Sequence, residues 1–350
     1  MKGQPERLPF ANQVAGHPNS ILSSPLSPAT LIKPSSHRER DFYTNVGPAL
    51  HPDLIGIWTP AFYGTLKLEG KMSEQGQLQP VDDAGSEMLV LENLTYRFLR
   101  PNVLDIKLGT QLFDDDAPEE KKQRMRVAAE QTTSGKTGVR ITGFQVWEAT
   151  TDSYVNTPKS YGKSLKPSDL LEGVTRFFAP GFAEPVASAM PPPSSLPLPL
   201  IHHVLQILLC RLKEIIDLIS TIECRIRGGS VLIVVEGDES ALAAALERED
   251  TAPHSKRTTK RAEEDGDLQE GESEGGSEES DTSSVSTTDE EGQAKLHTLL
   301  PVEIRLIDFA HATSAEGEGP DRGVILGLGT TTRLLQELLD HITAEIENKI

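Results

Sequence analysis

The sequence predicts an α+β protein with a small antiparallel lobe over residues 1–100 and a larger lobe over residues 101–350. Between residues 30 and 100, short alternating apolar runs are separated by turn residues, which is typical of antiparallel strands. Later in the chain, residues 200–223 and 330–350 carry Leu and Ile at helical spacing, as expected of long amphipathic helices. Together these patterns indicate two lobes of mixed α and β structure.

The first lobe is expected to be a small antiparallel sheet with one helix. Thr30–Pro34 is predicted to be a short strand that ends at its proline, and HRERDFY (37–43) is predicted to begin a helix. Residues 54–68 have the pattern of a strand, a turn and a second strand. Met88–Thr95 has the pattern of a strand that runs into a polar turn.

The larger lobe begins with an extended apolar segment, PNVLDIKLG (101–109). Helix-start signals follow, because Asp residues precede Pro118 and Glu residues fill the next positions. The continuous β-branched run at Ser230–Glu236 is typical of a buried strand. The other predicted elements are a strand at 137–147, a helix at 168–178 with Ser168 as its cap, a helix at 200–223, a strand at 302–309 and a helix at 330–350.

The formal net charge of −19 is concentrated in one tract of the chain. Residues 263–291 contain 13 acidic residues and neither Lys nor Arg, so they account for 13 of the 19 net negative charges. The surrounding segment, residues 247–295, is poor in aromatic residues and rich in Glu, Ser and Gly, which is typical of disorder. We therefore expect a nearly balanced folded protein that carries a disordered acidic insert.

Several classes of protein are not supported by the motifs. Cys210 and Cys224 have neither metal-ligand nor disulfide-framework spacing, which favours a reducing compartment. The first residues lack a basic-then-apolar secretion pattern, and charges inside the apolar run 200–222 argue against a membrane span. Residues 185–200 are Pro-rich and are predicted to be a linker. No GxGxxG, Walker or HExxH sequence occurs.

Asp105 and Lys107 lie two residues apart in the extended segment, and alternate residues of such a segment face the same side. A carboxylate can orient or deprotonate an attacking hydroxyl while an ammonium holds phosphoryl oxygens, which is the pairing that phosphoryl transfer needs. On its own, this spacing is more often a surface ion pair. The interpretation therefore depends on residues elsewhere in the chain.

Three other features fit the same chemistry. Asp308 follows an apolar strand, where a carboxylate can bind Mg²⁺ against nucleotide phosphates, although a strand-end Asp often only caps a turn. Lys33 lies on a short strand with Glu39 at the start of the next helix, as in the nucleotide lobe of a kinase. Glu92 and Leu94 lie where a strand leaves into a turn, and there their backbone groups can meet adenine.

These segments resemble the inositol polyphosphate kinase family. PNVLDIKLG fits the family pattern PxxxDxKxG, and GGSVLIVVEGD (228–238) and LIDFAHAT (306–313) are similar to two further family segments. The matches occur in the family's order over nearly the whole chain, and the compact chain is most similar to the fungal multikinases. The other similar segments are QVAGH (13–17), RERDFY (38–43), PAFYGTL (60–66) and PDRGVILGL (320–328).

The resemblance implies a protein-kinase-like fold, in which a small antiparallel lobe binds ATP. It also implies ATP- and Mg²⁺-dependent phosphorylation of inositol tris- and tetrakisphosphates toward the pentakisphosphate. A hexakisphosphate kinase is the alternative within the family, and lipid phosphoinositides are a further acceptor class. By position, ATP is assigned to Lys33, Glu92, Leu94, Asp105 and Asp308. Asp308 is also assigned to the metal, and Asp105 and Lys107 to catalysis.

The acceptor carries several phosphates, so its site needs cations. The resemblance assigns this site Lys107, His311 and a basic helix at 121–128, and Lys159 is a further candidate. On a helix Lys121, Lys122 and Arg124 cannot all share one face, so one or two of them are expected to face solvent. A solvated helix that balances neighbouring acids explains the basic run equally well.

A non-catalytic role is a different class of function, with the acidic insert contacting transcription or chromatin partners. The basic cluster Lys256–Arg261 fits a nuclear import signal, although such a cluster is more often part of a solvated linker. We therefore expect a protein of the nucleus and cytoplasm. We expect a monomer that does not bind nucleic acid directly.

Overall fold

The computed structural model describes residues 9–16, 21–24, 27–67, 71–72, 78–79, 87–182, 196–251 and 300–349. The strands are β1 (Leu22–Ser23), β2 (Thr30–Pro34), β3 (Phe62–Lys67), β4 (Lys71–Met72), β5 (Leu78–Gln79), β6 (Glu87–Glu92), β7 (Pro101–Leu108), β8 (Val139–Glu148), β9 (Ser153–Thr157), β10 (Cys224–Ile226), β11 (Ser230–Glu236), β12 (Val302–Ile307) and β13 (Ala312–Ser314). The helices are α1 (His37–Asp41), α2 (Gly47–Leu50), α3 (Glu119–Glu130), α4 (Ser134–Thr137), α5 (Lys159–Ser164), α6 (Leu170–Phe178), α7 (Leu198–Ile219), α8 (Glu239–Thr251) and α9 (Arg322–Glu347).

The first lobe contains a four-stranded sheet in the order β1-β2-β6-β3, and every neighbouring pair is antiparallel. The central strand β6 is almost wholly buried. β2 was predicted with the boundaries that the structure shows, since its apolar pattern stops at Pro34. Pro34 cannot donate a backbone hydrogen bond, so it fits only at the end of such a strand. The sheet places Lys33 opposite Leu89 of β6.

The second lobe contains a five-stranded antiparallel sheet in the order β12-β11-β7-β8-β9. β7, the segment of the PxxxDxKxG pattern, is the central strand, so its backbone is paired on both sides. Its alternate residues Leu104 and Ile106 are buried toward α6, α7 and α9. Burial of each such side chain contributes about 1.5–3 kcal/mol. β7 is therefore a rigid platform for the polar side chains on its other face.

The segment 54–68 was predicted as two strands, and the first of these predictions is wrong. Leu54–Trp58 is a helical turn, in which the Thr59 amide donates to the Leu54 carbonyl at 3.0 Å. Gly56 has a φ of +85°, a left-handed conformation that glycine adopts at little cost. Apolar periodicity does not report this backbone conformation, so the turn looked like a strand. The second predicted strand exists as β3.

Helices extend into one end of the predicted linker and one end of the predicted insert. α7 begins at Leu198, inside the predicted linker 185–200, because Pro is tolerated in the first turn of a helix. α8 extends to Thr251, inside the predicted insert 247–295, and buries Leu242 against the core. The acidic tract, the basic cluster 256–261 and most of the linker lie outside the described residues.

The starts of two helices also differ from the prediction. α9 begins at Arg322 because the Asp321 carboxylate caps it, accepting hydrogen bonds from the amides of Gly323 and Val324. Ser168 does not cap α6 as predicted, and its hydroxyl instead bonds to the Asp169 carboxylate at 2.7 Å. Among the described helices, none has the combination of length and hydropathy needed to cross a bilayer.

The fold class is the predicted one, since a small antiparallel sheet precedes a larger lobe of sheet and helices. The first sheet ends at Glu92 and the second begins at Pro101. The two sheets therefore lie on either side of the boundary that the sequence predicted near residue 100. The limits of the two lobes, 1–100 and 101–350, stay a prediction.

Candidate active site

A cavity of about 120 Å³ lies between the two sheets. Lys33, Asp105 and Asp308 line it together, although they come from β2, β7 and the end of β12. Its apolar walls are formed by Leu31, Leu91, Val103, Leu232 and Ile307. The cavity is therefore mostly apolar with a few polar groups from both lobes.

Lys33 is held between two carboxylates. Its Nζ lies 2.8 Å from Oε1 of Glu39 and 2.6 Å from Oδ1 of Asp308. Glu39 is fully buried on α1, and its backbone amide is capped by the Ser36 hydroxyl. Burial alone would lower the pKa of Lys33, but the charges of Asp308 and Glu39 outweigh burial and raise that pKa above its ordinary value. The ammonium is thus a fixed positive charge in the cavity.

Asp308 has a left-handed backbone, with a φ of +67°, which Asp tolerates better than most residues. The next residue, Phe309, is buried and stacks on Phe42 with ring centroids 4.0 Å apart. Burial tends to raise the pKa of Asp308, but Lys33 outweighs it, so the pKa lies below the ordinary value. The carboxylate is therefore charged, anchored by its neighbour and still 42% exposed toward the cavity.

Asp105 projects from the middle of β7 and is buried. A bulge in β8 leaves Thr142 between the residues that pair with Asp105 and Ile106, and the Thr142 hydroxyl donates to the Asp105 carboxylate. Burial, and then the charge of Asp308, raise the pKa of Asp105 to about 6, although the hydroxyls of Thr142 and Ser230 act in the opposite direction. This carboxyl group therefore titrates close to neutral pH.

Lys107 does not use Asp105 as its hydrogen-bond partner. Its Nζ donates to the carbonyl of Gly228 at 2.7 Å, at the turn that leads into β11. Arg140 lies opposite Lys107 on β8, and burial lowers the pKa of both side chains. The two cations stand beside Asp105 without either one neutralising it by direct contact. Arg140 was not singled out from the sequence, because its position opposite Lys107 depends on strand register.

Glu92 and Leu94 line the cavity, together with Leu91, Asn93 and Thr95. The Glu92 carboxylate accepts a hydrogen bond from the Ala61 amide at 3.1 Å and lies 3.7 Å from the fully buried Arg305 guanidinium. Arg305 also donates to the Ile57 carbonyl in the first lobe. The strand end at Glu92 is therefore tied to both lobes, and the backbone after it borders the cavity.

The N-terminal segment closes one side of the cavity. Asn12, Gln13 and Val14 line the cavity, and the Asn12 side chain bonds to Thr95 and Gln145. A side chain in place of Gly143 would meet the Val14 carbonyl at 2.2 Å, which allows close packing of this segment on β8 only with glycine. The sequence marked this segment only through the resemblance of QVAGH (13–17), and His17 lies outside the described residues.

The predicted acceptor residues lie at several different places in the structure. None of the predicted acceptor residues lines the cavity itself: Lys107, Lys121, Lys122, Arg124, Lys159 and His311. His311 follows Asp308 by one turn, and its Nδ1 lies 2.7 Å from the Asp114 carboxylate. On α3, Lys121 and Lys122 are half-buried and Arg124 is exposed, so this helix is at least partly a solvated surface. Lys159 is exposed on α5, which packs on β8 through the Tyr161 and Phe144 rings. The assignment of Lys159 to the acceptor stays a prediction.

Comparison with known proteins decides the family. The family model described as inositol polyphosphate kinase matches residues 88–336, which include β7, β11 and the Asp308 segment. The chain belongs to the inositol polyphosphate kinase family. The resemblance seen in the sequence is therefore confirmed.

Two curated fungal relatives are inositol polyphosphate multikinases. The Schizosaccharomyces pombe protein is 35% identical over 179 residues, which cover 48% of this chain and 62% of that protein. The Saccharomyces cerevisiae protein is 26% identical and covers 91% of this chain and 95% of its own length. Human inositol hexakisphosphate kinase 3 is 29% identical and covers 71% of this chain, but this chain spans only 51% of it.

Solved structures agree with this assignment. The S. cerevisiae inositol phosphate multikinase Ipk2, in complex with ADP and Mn²⁺, matches 89% of this chain with a TM-score of 0.56 and 25% identity. A second inositol phosphate multikinase structure covers 85% of this chain with a TM-score of 0.51, and at 17% identity it supports the fold alone.

Proposed function

We propose that this chain is an inositol polyphosphate multikinase that transfers the γ-phosphate of ATP to hydroxyls of inositol tris- and tetrakisphosphates. The observation that carries the proposal is the meeting of Lys33, Asp105 and Asp308 in one cavity between two lobes. A fixed cation, a carboxylate near neutral pKa and an exposed carboxylate are the groups that phosphoryl transfer uses. Membership of the family gives this arrangement its substrate class.

Lys33 is proposed to bind the nucleotide phosphates, with Glu39 as the residue that positions it. Adenine would lie at the other end of the cavity, against the backbone of Glu92 and Leu94. The apolar walls between these ends suit a planar base. The ADP that accompanies the S. cerevisiae relative supports a nucleotide at this fold's site.

Asp308 is proposed to bind a divalent cation, and we propose Mg²⁺ as that cation. One Asp308 oxygen contacts Lys33, and the 42% exposure of the carboxylate leaves it accessible. The described residues contain no group of three or more His, Cys, Asp or Glu that could hold a metal. A site with one or two carboxylates fits Mg²⁺, which commonly completes its coordination with substrate phosphates and water. When bound, the cation would neutralise charge on the transferring phosphate.

Asp105 is proposed to orient the attacking hydroxyl and accept its proton. Burial keeps this carboxyl group away from bulk water, and its pKa of about 6 leaves it ionised at neutral pH. A base with a pKa near the working pH combines the correct charge with a useful driving force. Lys107 and Arg140, on the adjacent strand positions, are proposed to hold acceptor phosphates.

Product analysis distinguishes the multikinase from a hexakisphosphate kinase, the second candidate supported by the human relatives. Purified protein is incubated with ATP, Mg²⁺ and one acceptor at a time. We expect inositol 1,4,5-trisphosphate to be converted to tetrakis- and pentakisphosphates. A protein that phosphorylates only the hexakisphosphate would contradict the multikinase proposal. A lipid phosphoinositide in vesicles, as a third acceptor, tests that class separately.

We also propose that the protein works as a monomer in the nucleus and cytoplasm, with the acidic tract 263–291 available to transcription or chromatin partners. The support is the composition of the tract and the basic cluster 256–261. Imaging of a variant with this cluster changed to Ala tests the nuclear share. A cellular effect that survives Asp105→Asn but is lost on deletion of 263–291 would identify a scaffolding role, and the reverse result would exclude it.

A further inference from the structure

Three consecutive carboxylates, Asp114–Asp116, lie on a group of cations that the sequence did not connect with them. Asp114 lies 2.7 Å from His311 and 3.6 Å from Arg38. Asp116 contacts Arg38 at 2.5 Å, and Asp115 lies 3.5 Å from Arg227. We call Asp114–Asp116 the acidic loop. Each of its carboxylates is paired with a cation from another part of the chain.

The three basic residues, Arg38, Arg227 and His311, border the catalytic groups. Arg38 precedes Glu39, the partner of Lys33. Arg227 precedes Gly228, whose carbonyl accepts the hydrogen bond from Lys107, and the Arg227 amide donates to the His311 carbonyl. The cation group therefore stands on the Lys107 side of the site, where the proposed acceptor binds.

The Arg227 side chain is fixed in position by the fold, which suits it to bind an anion. Its guanidinium is 13% exposed and is fixed by the buried Asp321 carboxylate at 3.1 Å. Asp321 also caps α9, so it is committed to the fold. Within the described residues, Nε of Arg227 has no hydrogen-bond partner. Asp115, which is 74% exposed, lies 3.5 Å from the same guanidinium.

The pairs made by the acidic loop are easily exchanged. Arg38 and His311 are 42% and 47% exposed, and water weakens ion pairs at such positions. A phosphate monoester carries more charge than a carboxylate and three strong acceptor oxygens, so a guanidinium prefers it. Asp115 carries its negative charge, because the Gln111 hydrogen bond first, and then Arg227 and Lys122, lower its pKa.

We propose that the acidic loop is an internal anion that competes with the acceptor's phosphates for Arg38, Arg227 and His311. The inference rests on the proposed function and adds Arg38 and Arg227 to the acceptor site. An acceptor phosphate that binds these cations displaces the loop carboxylates, and repulsion between like charges keeps the loop away. The free energy of binding each inositol phosphate is then the difference between the interaction of its phosphates and that of the displaced loop carboxylates with these basic residues. The loop therefore sets which acceptors bind well enough to react.

Binding of inositol phosphates without ATP tests this inference. Titration calorimetry with inositol 1,4,5-trisphosphate and with the hexakisphosphate gives Kd for wild type, Asp115→Asn and Asp116→Asn. We expect each variant to bind about 3- to 10-fold more tightly, as loss of a competing exposed charge implies. The gain should be larger for the hexakisphosphate, which presents more phosphates. Arg227→Gln should weaken binding by at least about tenfold, as loss of a charged hydrogen-bond donor implies.

Glu119→Gln is the matched control, because it removes one negative charge next to the loop, at a residue paired with Arg126 instead. Equal tightening by Glu119→Gln would show a net-charge effect and overturn the inference. Unchanged or weaker binding in both loop variants, with a lower melting temperature, would show that the loop only clamps the lobes and would also overturn it. If wild type binds no inositol phosphate, the proposed function itself fails, which is a separate result.

Discussion

The proposed nucleotide end of the site and the proposed acceptor end hold their charges in different ways. At the nucleotide end, Lys33 is fixed by two short contacts, one of them to a fully buried carboxylate. At the acceptor end, Arg38 and His311 are about half exposed and are paired with the acidic loop. Buried charges that are already oriented favour one geometry, whereas exposed pairs can exchange partners.

This difference separates catalysis from selectivity. The proposed nucleotide end would serve the same phosphates in every turnover, so a preorganised site is useful there. The acceptor end of the proposed multikinase must accept inositol phosphates with different numbers of phosphates. Exposed cations with replaceable partners meet that need. Substitutions at the two ends should therefore have effects of different size and kind.

The largest effect is expected behind the nucleotide end, at Arg305. Arg305→Met leaves Glu92 and Glu303, each 3.7 Å from the guanidinium, without this buried partner. Breaking a buried ion pair from one side costs about 3–5 kcal/mol of unfolding free energy. Urea denaturation measures this cost. Arg333→Met, which removes an exposed pair with Glu337, should cost less than about 1 kcal/mol. Similar values for the two variants would contradict a rigid nucleotide end.

The next effect is expected at Lys33. Lys33→Met removes the fixed cation and should lower kcat about 100- to 1000-fold, as loss of one preorganised charge-stabilising donor does. Initial rates at saturating ATP measure this change. Lys67→Met on β3 is the control, since Lys67 is exposed and makes a weaker ion pair, at 3.6 Å, with Glu87. A Lys33→Met enzyme within about threefold of wild type would remove Lys33 from the site.

The sequence predicted some residues of the site and missed others. Lys33, Asp105, Lys107 and Asp308 carried sequence signals, because each lies in a short motif on a strand. Their meeting depends on contacts such as the one between Lys33 and Asp308, and only the family resemblance implied it. Arg140, Arg227 and Arg305 lay in no motif that sequence reasoning used. Their roles arise from strand register and from burial between lobes.

The elements of the fold were also predicted only in part. Ser230–Glu236 was predicted with its observed boundaries, since a continuous β-branched run has few alternatives. α8 was not predicted, because its small and charged residues merge into the acidic segment that follows. Leu54–Trp58 was misread because the left-handed Gly56 has no periodic signature. Local pattern reports burial well and backbone reversals poorly.

Asp105 should give a pH dependence with opposite signs for activity and stability. Its folded pKa is about 6 and its unfolded pKa about 3.9, so the folded protein holds the proton more tightly. The unfolding free energy therefore falls as pH rises from about 4 to about 6, by about 2–3 kcal/mol. Activity rises with pH through about 6, because the base must be ionised.

Asp105→Asn tests both signs at once. The variant should lose activity and, at pH 8 without ligands, gain about 2–3 kcal/mol of stability over wild type. Thermal and urea unfolding at pH 4 and pH 8 measure the difference, which should disappear at pH 4. A variant that is less stable than wild type at pH 8 would contradict the burial of a charged Asp105.

The smallest effect is expected on α3. Arg124→Gln changes an exposed side chain, so it should alter the acceptor KM by less than about twofold. Lys107→Gln, beside Asp105, should raise that KM at least about tenfold, as loss of a charge-assisted hydrogen bond implies. Steady-state kinetics with inositol 1,4,5-trisphosphate compares them. A large effect of Arg124 would extend the acceptor end onto α3.

Transfer of labelled phosphate tests the central claim most directly. Protein is incubated with γ-labelled ATP, Mg²⁺ and inositol 1,4,5-trisphosphate, and the label in separated inositol phosphates is counted for wild type and for Asp308→Asn. We predict labelled tetrakis- and pentakisphosphates from wild type and at least about a 100-fold loss in Asp308→Asn, a variant that should still unfold in one cooperative transition. No label from folded wild type, or full transfer by Asp308→Asn, would contradict the proposed site.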